Sequence, residues 1–258
     1  MSTPRRLVFT VFVVVSAQAQ PAGPPDFSGV YYPINPFGAN AVPQPSAAKG
    51  KEKGPPPRPT RSAPLADGSQ GRAPDAPSLT PDYMAKWEII RKSRMAGSSE
   101  YDNTAKCLPP GMPAMMSMAY GMEVMQNKDK ITFFSELNDA LRRVYLDGRK
   151  PTKKILDDPT YAGYSTGHWE GDTLVVDTVA LHENSFIEGF TPHSDAMTVK
   201  ERIRFLSPGL LEDRITVTDP KALTKPWETV KTYRKATPGS GNDELREFAC
   251  PEGLGEAK

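Results

Sequence analysis

A chain of 258 residues with 32 basic against 31 acidic side chains carries no net field to draw it to nucleic acid. Its longest apolar run, Leu7–Val15, is too short to cross a bilayer, so no membrane span is expected. What remains beyond that run, about 240 residues, suits one large β domain or two small ones.

Arg5 and Arg6 precede the apolar run and Ala17-Gln18-Ala19 follows it, the three-part layout of a secretory signal. Residues 1–19 are therefore expected to be a signal peptide. No cysteine follows the cleavage site, and the mature chain is expected in the periplasm or outside the cell. Residues 20–39 hold an opening strand, "PDFSGVYYP". From 40 to 78 the composition turns to Pro, Gly, Ala, Ser and Lys, which cannot bury enough apolar surface to offset its ordering entropy and predicts a disordered loop. Residues 79–258 are expected to form a helix plus a β-barrel domain.

"SLTPDYMAKWEIIRKSRMAG" predicts a helix, with Thr80 as N-cap, Pro81 at the first helical position and Asp82 against the positive helix end. After Gly111 the chain reads as strands and tight turns: "GMEVMQ", "ITFFSEL", "ALRRVYL", "YSTGHW", "DTLVVDTV", "AMTVKERIRFL", "LLEDRITVTD", "WETVKTYRKA" and "ELREFAC". Glu170-Gly171 and Ser207-Pro208-Gly209 mark hairpins. The fold class is all-β with one N-terminal helix, an antiparallel meander of nine or ten strands. It closes into a barrel or half-barrel, because closure removes exposed edges.

Six methionines fall between Met112 and Met125. Copper would need several thioethers converging with a histidine, and the nearest in sequence is His168. Core or pocket lining is the simpler reading for so adaptable a side chain, and Met116 with Phe133 is expected to line the interior. No metal site and no cofactor is expected. Cys107 and Cys250, the two cysteines, suit a disulfide in an oxidising compartment, with two free thiols as the alternative. On the chain-entropy view so long a loop is worth about 5 kcal/mol.

Strand periodicity places charged groups among the apolar rows. In "AMTVKERIRF", Glu201 shares a face with Met197, Val199, Ile203 and Phe205. In "LEDRITVTD", Asp213 lies with Leu211, Ile215 and Val217; Asp177 lies with Val175 and Val179. One of Arg142 and Arg143 must point inward. Glu201 with such an arginine is either a proton-moving site or a buried ion pair fixing strand register. His193 with Asp195 or Glu201 is a candidate acid–base pair, or a turn in which Ser194 and Asp195 satisfy backbone amides. Tyr145 and Tyr164 are candidate ligand-orienting hydroxyls, and His168 and His182 candidate binding residues.

"FSGVY", "CLPPGMP", "RRVYLDGR", "GHWEGDTLVVDT", "PHSDAMTVKER" and "DPKALTKPW" together resemble a family of secreted bacterial β-rich proteins that are calycin- or lipocalin-like. The resemblance covers about half the chain. It implies a signal peptide and a β-rich domain, and assigns no catalytic residues. Taken with the strand faces, the expectation is a secreted barrel with an apolar interior performing cofactor-independent acid–base chemistry, of lyase, isomerase or cyclase type, on a small organic molecule. The alternatives are a non-catalytic carrier of an apolar ligand and a structural envelope module.

Overall fold

The computed structural model describes residues 23–34, 72–73 and 75–249. Nine strands close into one barrel in chain order: β1 (Gly29–Pro33), β2 (Met122–Gln126), β3 (Lys130–Ser135), β4 (Ala140–Tyr145), β5 (Tyr164–Glu170), β6 (Thr173–Val179), β7 (Thr198–Ser207), β8 (Leu210–Thr218) and β9 (Trp227–Lys235). The seam is the β1–β9 pairing, Tyr31 against Lys235 and Pro33 against Tyr233. The barrel, not the half-barrel, is the observed form.

The meander departs from the antiparallel expectation at one place: β4 and β5 run parallel, Val144 opposite Ser165 and Tyr145 opposite Thr166. An odd number of strands cannot alternate direction around a closed ring, so one parallel neighbour is obligatory. A parallel pair needs a long crossover, and residues 146–163 supply it. Within them lies a second helix that the sequence reading missed, α2 (Lys153–Asp157), capped by the Thr152 hydroxyl on the Ile155 amide at 3.4 Å.

The expected helix forms as α1 (Pro81–Met95), burying Trp87 and Ile90. Thr80 stands at its N-cap, but its hydroxyl bonds the Lys221 carbonyl at 3.1 Å instead of a helix amide. Asp75 and Ser78, within the segment expected to be a disordered loop, are instead bonded to the barrel: Trp227 Nε1 donates to the Asp75 carbonyl at 2.7 Å and the Thr224 amide to that of Ser78 at 2.9 Å. The expected signal peptide, most of the Pro-rich stretch and Cys250 lie outside the described residues.

"ELREFAC" forms no strand over Glu244–Ala249. The ring is already closed by β9 on β1, so no edge remains for a tenth strand to pair with. The segment packs on the barrel instead, with Leu245 against Gly121.

Turn glycines separate into two kinds. Gly171 (φ 63°) makes the two-residue β5–β6 turn with open space around it. Gly163 (φ 66°) has the same conformation, but a Cβ there would meet Leu181, Thr178 and the Val179 carbonyl at 2.8 Å. Gly171→Ala is expected to cost about 1 kcal/mol, the left-handed backbone penalty alone. Gly163→Ala adds overlap with backbone and is expected to cost roughly 2–4 kcal/mol. Thermal unfolding of the two variants should separate them clearly.

Candidate functional site: a buried polar floor inside the barrel

Strand direction divides the barrel ends. At one end sit the short β2–β3, β5–β6 and β7–β8 hairpins, sealed by Phe27 with its ring centroid 5.2 Å from Trp169 and 5.0 Å from Phe205. The other end carries the long connections: the methionine turn before β2, the β6–β7 loop (180–197) and the β8–β9 link (219–226). Met112, Met115 and Met116 are buried in the main apolar cluster with Phe133, as expected of core lining. Tyr233 fixes their turn by donating its hydroxyl to the Met116 carbonyl at 2.5 Å.

Inward positions follow the period of two. Ala140, Arg142 and Val144 face the interior from β4, Val199, Glu201 and Ile203 from β7, and Leu211, Asp213 and Ile215 from β8. Arg142 is thus the inward arginine, and Arg143 is exposed on the outer face, where it takes no part in the interior. The Arg142 and Glu201 side chains are both fully buried and form a two-pronged ion pair. Arg142 Nη1 donates to Glu201 Oε1 at 2.8 Å, and Nη2 donates to Oε2. Nη2 also donates to the Thr178 hydroxyl at 3.0 Å, and Nε to the Ser165 hydroxyl at 3.2 Å. Those two hydroxyls are 2.8 Å apart, and the guanidinium lies 5.5 Å from the Phe133 ring centroid. This net ties β4, β5, β6 and β7 together. Guanidinium and carboxylate each saturate the other, so burial costs neither an unmet charge.

Asp213 is different. It is fully buried, and neither carboxylate oxygen finds a hydrogen-bond donor. Burial, then the Glu201 carboxylate, hold its acid well above the usual carboxylate range. Protonation resolves the contact with Glu201: the Asp213 hydroxyl becomes a donor and Glu201 its acceptor. One Asp213 oxygen is thereby used, and the other remains a buried acceptor without a donor. Such orphans are rare in native interiors. Its cross-strand neighbour on β9, Lys231, turns to Glu188 of the β6–β7 loop at 2.7 Å. The sequence reading put Asp213 on the inward face but did not include it among the catalytic residues; its lack of a partner is invisible until the strands are paired.

His193 is also buried, and burial lowers its pKa. Its Nδ1 donates to the Ser194 carbonyl at 2.8 Å, and Nε2 lies 2.8 Å from the Ser185 hydroxyl. The carboxylate near it is Asp219, not Asp195. Asp219 accepts from the Ser194 amide (2.6 Å) and hydroxyl (2.7 Å), and from the Lys221 (3.1 Å) and Ala222 (3.0 Å) amides. Asp195 is exposed and pairs with Lys221 at 2.6 Å. The "PHSD" and "DPKAL" segments are thus two halves of one loop-to-loop clamp at the open end. Asp219→Ala strands four donors and is expected to cost roughly 2–4 kcal/mol, while Asp195→Ala should stay within about 0.5 kcal/mol. Denaturant melts of both variants would check the contrast.

The remaining expected residues fall outside the interior. Asp177 points outward and pairs with Lys200 at 3.2 Å, with both side chains about half exposed. Tyr145 and Tyr164 pack on each other outside the barrel, centroids 5.3 Å apart, with the Arg149 guanidinium 4.1 Å from the Tyr145 ring centroid. His168 is exposed beside Glu170. His182 stacks on Tyr161 at the rim, and its Nδ1 accepts from the Asn184 amide at 3.1 Å. Among the described residues, no three His, Cys, Asp or Glu side chains are grouped to hold a metal.

No family model matches the chain, and no curated protein matches it. Among solved structures it is similar to a crystal structure of a variant of the fluorescent protein UnaG, with 16% identity and a TM-score of 0.29 over 52% of this chain and 86% of that one. The barrel assignment rests on the strand pairing itself.

Proposed function

We propose that this chain is a secreted or periplasmic barrel that binds a small, largely apolar organic molecule against a floor of Arg142, Glu201 and Asp213. The observation that carries the reading is the Asp213 carboxyl, buried with an oxygen that no protein group satisfies. The Phe133 ring lies beside Arg142, and Met112 and Met116 belong to the same buried apolar cluster as Phe133, side chains that adapt to an apolar guest. Secretion rests on the three-part layout of residues 1–19. A Cys107–Cys250 disulfide belongs to the same reading, and no free thiol occurs among the described residues.

A second reading is acid–base turnover of lyase, isomerase or cyclase type. Its specific support is the Asp213 acid, raised by burial and by the neighbouring Glu201 carboxylate. Asp213 would then hold the proton, in place of His193, while Glu201 and Arg142 would fix its position. Native mass spectrometry of the mature protein, isolated without denaturation from its own source, tests the binding reading. A bound organic mass in wild type that is depleted in Asp213→Leu is expected. An empty wild-type protein would favour a filled structural barrel instead.

A further inference from the structure

Among the described residues, the two cations that act on Asp213 are already matched. Arg142 is held by Glu201, and Lys231 by Glu188. Asp213 brings a second carboxyl to this floor and no further cation comes with it. An anionic guest at Asp213 would be buried beside two carboxyl groups whose cations, Arg142 and Lys231, are already held by Glu201 and Glu188, so its charge would go unmet. A ketone or ester offers only acceptors, and the group awaiting a partner is itself an acceptor oxygen. A cationic amine would have to settle beside Arg142 and Lys231, whose fields both act on Asp213. A neutral hydroxyl needs none of these rearrangements: it donates one hydrogen bond and adds no charge.

Building on the binding reading above, we infer that the barrel selects uncharged, hydroxyl-bearing apolar molecules, alcohols or phenols, whose O–H donates to the unpartnered Asp213 oxygen. The discrimination arises because a site built around a buried polar group rejects an analogue that leaves the group unpaired. The apolar body of the ligand would lie toward Phe133 and the methionine turn, since Arg142 and Glu201 occupy each other.

The test uses the full mature protein and four probes of one chain length: decan-1-ol, decan-2-one, decanoate and decylammonium. Binding is measured by displacement of an environment-sensitive dye and by native mass spectrometry. The alcohol is expected to bind at least about tenfold more tightly than the ketone or the carboxylate. Asp213→Leu should bring alcohol and ketone within about twofold of each other, with thermal melting confirming that the variant is folded. Equal affinity of alcohol and ketone for wild type would overturn the inference and leave the binding reading standing. So would preferred binding of decanoate, or of decylammonium with proton release. If none of the four binds, the binding reading falls and the inference with it.

Discussion

Arg142→Met is expected to cost about 3–5 kcal/mol, a large share of the stability of an ordinary domain. The guanidinium is fully buried and is the centre of a net spanning four strands. Its removal leaves the Glu201 carboxylate without its counter-charge in an apolar interior, and frees the Ser165 and Thr178 hydroxyls from their donor. Coulomb attraction inside the pair is not the quantity lost, because burying both ions has already cost most of it. The stranded charge dominates. The double variant Arg142→Met with Glu201→Leu should therefore recover most of the loss, since an apolar pair of similar volume leaves no ion behind. Equilibrium unfolding of the two single variants and the double gives the coupling directly. A double variant as unstable as the sum of the singles would contradict the account.

Asp213 has the opposite signature. Its acid is raised in the folded protein and ordinary, near ~3.9, when unfolded. Between those two values the folded state holds a proton that the unfolded state has released. Stability contributed by this group is therefore complete below about pH 4 and declines by up to about 1.4 kcal/mol per pH unit as pH rises toward the folded value. His193 runs the other way: its lowered pKa makes stability fall as pH drops below about 6.5. The two are separable by substitution. Asp213→Asn removes the titration and keeps a neutral side chain of the same shape, so wild type should lose ground to the variant as pH rises above about 4. Denaturant unfolding at four pH values measures the difference. A difference independent of pH would mean that Asp213 is ionised throughout.

Much of this architecture was legible in local chemistry. Hairpins were marked by Gly171 and Pro208-Gly209, and α1 by Thr80, Pro81 and Asp82. Period-two reading put Glu201 inside, and one of two adjacent arginines with it. What it missed depends on tertiary pairing. In β6, Thr173–Val176 is buried on both faces, so alternation carries no information there and Asp177 was placed on the wrong side. The parallel β4–β5 step follows from ring closure with nine strands, a global constraint that no segment states. Sequence offers Asp195 or Glu201 as the carboxylate for His193, whereas Asp219 arrives from the β8–β9 link. Tyr145 and Tyr164 were read as ligand groups, but their strand positions turn both rings outward.

The charge state of the floor is the central claim, and carbon-13 NMR of protein labelled at aspartate carboxyls reads it directly. Comparison with Asp213→Asn assigns the resonance. The account predicts a carboxyl shift for Asp213 that stays at its protonated position through the pH range in which the surface aspartates ionise. A shift at the ionised position, moving with the surface aspartates near pH 4, would contradict it.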